Sequence, residues 1–140
     1  MIKITASDLE TEEVGFNLAK ELDEAKKIRA FIALRGEMGV GKTAFTRGFA
    51  KYFGITAVKS PTYTVVNEYR GKRSIFHFDM YRIESEDDLY SIGFDEYTER
   101  DGYCICEWSE NISDMLPSGH ITVTISRCEE ENARKIEISY

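Results

Sequence analysis

Gly36-Glu37-Met38-Gly39-Val40-Gly41-Lys42-Thr43 decides how the rest of the chain is read. It has the spacing of a phosphate-binding loop: glycine, four residues, then Gly-Lys and a Ser or Thr. The glycines let the backbone curl until successive N–H groups converge on phosphate oxygens. In this pattern Lys42 reaches the β- and γ-phosphates, and the Thr43 hydroxyl sits on Mg²⁺. The helix that follows adds its positive N-terminal end. An ordinary glycine turn between a strand and a helix has no need of Lys-Thr at these places.

The flanks supply the setting the motif requires. Ile28-Arg29-Ala30-Phe31-Ile32-Ala33-Leu34 reads as a buried strand running into the loop. Phe45, Phe49 and Phe53 recur every four residues and predict an apolar helical stripe. Gly54 stands where a helix C-terminus favours glycine.

Upstream, Ile2-Lys3-Ile4-Thr5 reads as a short first strand. Ser7-Asp8-Leu9-Glu10 has capping-box spacing, so a helix is expected through about Ala25, with Val14, Leu18 and Leu22 inward. Glu12, Glu13, Asn17, Lys20 and Glu21 are expected to face water, and Thr11, in the first turn, reads as a solvated residue. Downstream, Val58-Lys59-Ser60-Pro61-Thr62-Tyr63-Thr64 is a hydroxyl-rich loop stopped by proline. Its place after the loop helix makes Thr62 a candidate for sensing a γ-phosphate and its cation, although position alone describes a plain loop equally well.

Tyr63 to Arg70 and Ser74 to Asp79 read as an antiparallel hairpin around Gly71, with His77, flanked in sequence by Phe76 and Phe78, read as a packed or partly exposed strand residue. Two apolar runs end in an acid: the one closing on Asp79, and Tyr103-Cys104-Ile105-Cys106-Glu107. A strand end is where the Mg²⁺-side carboxylate of a phosphate-loop enzyme belongs. There are thus two candidates for one role, or a division in which one carboxylate holds the metal and the other places the attacking water. Arg82 offers a positive charge to a phosphate, a partner or a neighbouring acid, and Trp108 adjoins Glu107. Ser85-Glu86-Asp87-Asp88 starts another helix, followed by Leu89, Ile92 and Phe94; Ser109 to Met115 suggests a short one. Alternation at Ile121, Val123, Ile125 and at Ile136, Ile138 predicts two closing strands.

A chain of 140 residues with 42% hydrophobic and 31% charged residues fits one domain, 1–140, with a substantial core. Its net charge of −7 argues against direct nucleic-acid binding and suits contact with nucleic acid only through a partner. No apolar run reaches membrane-spanning length and no apolar segment follows Met1-Ile2-Lys3, so a cytoplasmic location with no membrane contact is expected. Three cysteines give no disulfide framework; Cys104 and Cys106 share a strand face and read as reduced, buried, apolar residues.

Taken together, the loop with Thr46-Arg47-Gly48 behind it, Lys59-Ser60-Pro61-Thr62-Tyr63, His77-Phe78-Asp79-Met80-Tyr81-Arg82, Gly93 and Glu107-Trp108 closely resemble the bacterial TsaE family, formerly YjeE. The resemblance runs over almost the whole chain. The Ser-Pro-Thr-Tyr and His-Phe-Asp-x-Tyr-Arg segments carry its specificity; the phosphate loop alone does not. It implies an α/β fold of the P-loop NTPase type, a three-layer sandwich whose mixed sheet has a parallel centre and antiparallel additions. It implies an ATPase subunit needed for threonylcarbamoyladenosine in tRNAs that read codons beginning with A. The partners implied are TsaD and TsaB, with tRNA reached only indirectly; the cofactors are ATP or ADP and Mg²⁺. By the same resemblance Gly36, Glu37, Met38, Gly39, Val40, Gly41, Lys42 and Thr43 surround the phosphates. Thr43 and Glu107 hold Mg²⁺, Asp79 helps the attacking water, Thr62 sits in the switch-like loop, and Trp108 lies close to the nucleotide. Thr11 and Arg134 match positions beside the base. Ser109 departs from the proline common after Glu-Trp, which blurs the start of the next helix and removes no ligand.

The expected chemistry is slow ATP hydrolysis completed by a partner, because no arginine finger stands out in the sequence. The alternative is a small P-loop kinase acting on a small molecule or nucleotide, for which the short chain has no room for a lid. A nucleotide-binding scaffold without hydrolysis and a direct tRNA binder are the other rivals.

Overall fold

The computed structural model describes residues 1–58 and 66–140. Its centre is a seven-stranded mixed sheet in the order β1-β7-β6-β2-β5-β4-β3. The strands are β1 (Ile2–Thr5), β2 (Arg29–Arg35), β3 (Val66–Arg70), β4 (Ser74–Asp79), β5 (Gly102–Glu107), β6 (Ile121–Arg127) and β7 (Arg134–Ser139). β2 runs parallel to both β5 and β6, and β5 parallel to β4. The hairpin β3–β4 and the pairs β6–β7 and β1–β7 add antiparallel flanks. This is the three-layer α/β sandwich with a parallel centre that the family resemblance implies.

Strand alternation sorts the core into two layers. Ile32, Leu34, Ile75, Tyr103 and Ile105 pack beneath α1 (Asp8–Glu24) and α2 (Lys42–Tyr52). Phe31, Ala33, Phe76, Phe78, Cys104 and Cys106 pack on the opposite side, with Leu89 of α3 (Glu86–Ser91) and Phe94 of α4 (Phe94–Glu99). Burial of both faces explains why the central strands read as near-continuous apolar runs. Cys104 and Cys106 do share a face, inside the second layer and reduced.

The predicted stripe of α2 is the keel of the first layer. Phe45, Phe49 and Phe53 are buried there, and Phe49 and Phe53 both meet the ring of Tyr103. Full burial of each such side chain stabilises the fold by about 1.5–3 kcal/mol. α1 and α2 approach so closely that a Cβ on Gly48 would stand 1.8 Å from the Glu12 carbonyl oxygen, and one on Gly15 2.2 Å from that of Phe45.

Two local expectations change. The run after Ser85 is not one helix: Ser85 caps α3, but Gly93, at φ +74°, turns the chain so that α4 starts afresh. The segment Ser109–Met115 is helical but tighter, a 3₁₀ stretch kinked at Ile112. The Ser60-Pro61-Thr62-Tyr63 loop and the first residues expected in β3 lie outside the described residues. No described helix is long and apolar enough to cross a membrane.

Candidate functional site

The parallel strands β2, β4 and β5 end together, and their C-terminal ends open into the glycine loop. This is where α/β sheets usually bind ligands, because the loops leaving adjacent strands splay apart there. The result is a cleft of about 350 Å³ whose lining includes Gly39, Gly41, Lys42, Thr43, Asp79, Glu107 and Trp108.

The start of α2 differs from those of α1 and α3. Ser7 and Ser85 cap those two helices by accepting from the N–H groups of Glu10 and Asp88, and acids fill their first turns. α2 begins at Gly41, at φ +117°, with no side-chain cap and no acid in its first turn. Only glycine takes that backbone without strain. An uncapped helix N-terminus carries unsatisfied donors and partial positive charge, which suits an anion.

The loop's acceptors, by contrast, are consumed within the protein. The Gly36 carbonyl accepts from Lys42 Nζ at 2.8 Å, and that of Glu37 from the Val40 N–H. Arg127, at the end of β6, donates to the Met38 carbonyl at 3.3 Å, and Arg134, opening β7, donates to that of Val40 at 2.9 Å. Tying these oxygens down removes repulsion toward a polyanion. Arg134 also donates to the Glu131 and Ala133 carbonyls. Its guanidinium thus braces the loop from behind, a contact between residues 94 apart that the sequence analysis missed. Arg127 likewise escaped notice.

Lys42 is only 5% exposed. Its Nζ lies 4.5 Å from the centroid of the Trp108 ring, over the ring face. Trp108 itself sits at φ +58°, outside the usual regions for a non-glycine residue, at a cost of about 1–3 kcal/mol. The Tyr81 ring packs edge-on against it at 5.1 Å.

The two strand-end acids are paired in register, Asp79 opposite Glu107. Both project to the α2 side of the sheet, following the alternation of Ile75 and Ile105. Asp79 Oδ1 accepts from the Tyr81 N–H at 2.9 Å. Glu107 is buried, and its Oε2 lies 2.6 Å from Nε2 of His77. His77 is therefore more than a packed strand residue. The available signal was its position two before Asp79, which puts both on one strand face.

Thr11 is also corrected. It is 1% exposed rather than solvated, and its hydroxyl shares a 2.9 Å hydrogen bond with that of Thr5. Its methyl lies 3.7 Å from where a Cβ on Gly41 would stand, so it packs under the loop. Glu37 and Met38 are exposed on the loop, and Val40 is buried. Arg82 is exposed on the segment after Asp79. Thr62 lies outside the described residues. Asp8 and Arg47 line the cleft and were not singled out. Arg47 follows Thr43 by four residues, so helical periodicity was the available clue.

Chemically, the cleft sets ammonium and helix-end donors against hard oxygen donors from Thr43, Asp79 and Glu107. Oxygen-only donors suit Mg²⁺, which keeps much of its shell for water and phosphate oxygens. Among the described residues no three His, Cys, Asp or Glu side chains form a metal cage.

Comparison with known proteins agrees with this architecture. The crystal structure of YdiB from Bacillus subtilis superposes with a TM-score of 0.80 at 31% identity, covering 97% of this chain and 82% of that one. The Treponema pallidum protein named tRNA threonylcarbamoyladenosine biosynthesis protein TsaE is 30% identical over 137 residues, 97% of this chain and 98% of its own length. The Aquifex aeolicus protein of the same name is 39% identical, over 93% of this chain and 92% of its own. The one from Bacillus subtilis is 40% identical over 71% of this chain; the match spans 63% of that protein's length. The model of the family described as threonylcarbamoyl adenosine biosynthesis protein TsaE matches residues 5–136, and the chain belongs to that family.

Proposed function

We propose that this protein is an Mg²⁺-dependent ATPase that serves threonylcarbamoyladenosine formation on tRNA by acting on a TsaD–TsaB assembly. The observation that carries the reading is the uncapped start of α2, with Lys42 and Thr43, facing two carboxylates across one cleft. The relatives' names supply the pathway. The partners and ATP come from the motifs shared with the family.

In this reading the N–H groups at the start of α2 bind the β- and γ-phosphates. Lys42 exchanges its bond to the Gly36 carbonyl for a phosphate oxygen, a short movement of a flexible side chain. Mg²⁺, when bound, neutralises charge on the phosphate oxygens. Thr43 and Glu107 would hold it, and Asp79, less deeply placed, would orient the attacking water. Trp108, backed by the ring of Tyr81, walls the cleft on the side of Lys42. Thr11 and Arg134 act on the nucleotide through the loop they support.

Arg47 is the one guanidinium lining the cleft among the described residues, and it faces Glu12 at 3.6 Å. Catalysis by the isolated subunit is therefore slow, and a partner-supplied positive charge would accelerate it by about 10³-fold or more. The net charge of −7 keeps tRNA contact indirect, and the expected location is the cytoplasm.

The test is phosphate release from γ-labelled ATP with and without purified TsaB and TsaD. Release as inorganic phosphate, stimulated by the pair, supports the proposal. Equal rates remove partner completion, and label recovered on a nucleoside or sugar makes the protein a kinase.

A further inference from the structure

His77 belongs to no part of the chemistry above, yet its surroundings are unusual. It is fully buried, 0% exposed, on the central side of the β3–β4 hairpin. Nε2 meets Glu107 Oε2 at 2.6 Å, whereas Nδ1 has no hydrogen-bond partner among the described residues. A histidine recruited only to fill the core gains nothing from an unsatisfied ring nitrogen; a phenylalanine would pack there without that cost. With Glu107 ionised its oxygens only accept, so Nε2 donates, and Nδ1 is left without a partner whichever way the ring is protonated. His77 is the only described side chain bonded to the Glu107 carboxylate.

The register explains the reach. Glu107 pairs across the ladder with Asp79, and His77 precedes Asp79 by two residues on the same face. The Glu107 side chain therefore leans back along β4, and one of its oxygens is anchored below the cleft. The other is left for whatever the cleft binds.

We propose that His77 is a positioning residue: its bond to Oε2 locks the Glu107 carboxylate in the orientation that receives the divalent cation, and so sets the cation affinity of the nucleotide complex. This rests on the ATPase reading of the same cleft. Hydrogen-bonded partners of carboxylate and imidazole ligands typically change metal affinity by roughly 10–100-fold when removed. His77→Phe keeps the ring's bulk and removes the donor, while His77→Gln returns an N–H at nearly the same reach.

The experiment titrates Mn²⁺ into the ADP complex, following free Mn²⁺ by electron paramagnetic resonance, with ADP affinity in EDTA measured separately by calorimetry. His77→Phe is expected to weaken Mn²⁺ binding by about 10-fold or more while ADP affinity in EDTA changes less than about twofold. His77→Gln is expected to recover most of the loss. In a Glu107→Gln background, His77→Phe is expected to have no further effect on Mn²⁺. Wild-type Mn²⁺ affinity in His77→Phe overturns the inference. So does an equal loss in His77→Phe and His77→Gln, or an undiminished effect in the Glu107→Gln background, because a purely packing role predicts these. Should His77→Phe fail to fold, the comparison of His77→Gln with wild type carries the test: loss of ADP affinity in EDTA together with Mn²⁺ affinity counts against positioning. Absence of ADP binding by the wild type overturns the ATPase reading itself, a result separate from any of these.

Discussion

Asp79 and Glu107 end neighbouring parallel strands, stand opposite each other in register, and follow similar apolar runs, yet the fold treats them differently. Glu107 is buried at the end of β5, beside the central strand β2, one oxygen bound to a buried histidine. Asp79 is half-exposed, one strand nearer the edge, and its Oδ1 accepts from the N–H of Tyr81 in a local turn. A carboxylate held by a rigid, dry partner suits a fixed ligand. One held by a local turn beside solvent suits a group that handles water. Depth in the sheet, rather than residue type, sets the two acids apart.

The largest effect should come from removing the deeper charge. Glu107→Gln is expected to lower kcat for ATP by roughly a thousandfold, since charge stabilisation at such sites is worth several kcal/mol. Steady-state phosphate release across Mg²⁺ concentrations checks this, and a near-normal kcat would collapse the distinction between the acids.

A packing change should disturb both acids' surroundings together. Gly48→Ala forces a Cβ to within 1.8 Å of the Glu12 carbonyl oxygen and must drive α1 and α2 apart. The expected loss is about 3 kcal/mol or more, read from urea unfolding midpoints. Stability unchanged by this variant would mean that the helices have slack, and the site's frame with them.

Asp79→Asn comes next. It keeps an oxygen for the Tyr81 N–H and removes only the charge. The expected fall in kcat is about 10²-fold with KM nearly unchanged, the signature of a group that acts in the chemical step. A rise in KM with kcat intact would instead make Asp79 the binding carboxylate.

The smallest effect concerns the other face of the strand that carries Glu107. Burial pushes the Cys104 thiol from its ordinary 9.0 up to about 12, against a weak opposing pull from Arg100, and burial raises Cys106 as well. A folded-state value above the unfolded one stabilises fully below the ordinary value of 9.0 and fades as pH rises toward about 12. Melting temperature should therefore decline between those limits, and less steeply in Cys104→Ala. An unchanged slope would show that the thiol does not feel its burial.

Much of this protein is legible in local sequence because the governing contacts are short. The glycine loop, the capping serines Ser7 and Ser85, the phenylalanine stripe of α2 and the β3–β4 hairpin each depend on residues a few positions apart. Periodicity also announced both acids as strand ends. It could not rank them, since an apolar run ending in Asp or Glu looks the same on a central strand and on an outer one. Thr11 misled for a related reason: its helix position suggests water, and only the return of the chain through Thr5 and the glycine loop buries it.

What the amino-acid order determined alone was the glycine-loop pattern between a strand and a helix, the alternation of strands and helices, and the stripes that face them inward, because backbone geometry converts fixed spacing into fixed direction. What tertiary structure alone decided was the set of long-range partners. Arg134 meets Val40, Arg127 meets Met38 and His77 meets Glu107 across separations of 94, 89 and 30 residues. No spacing rule spans such distances; strand order and register do, by setting which side chains share a cleft and which of them lie deep enough to need a partner.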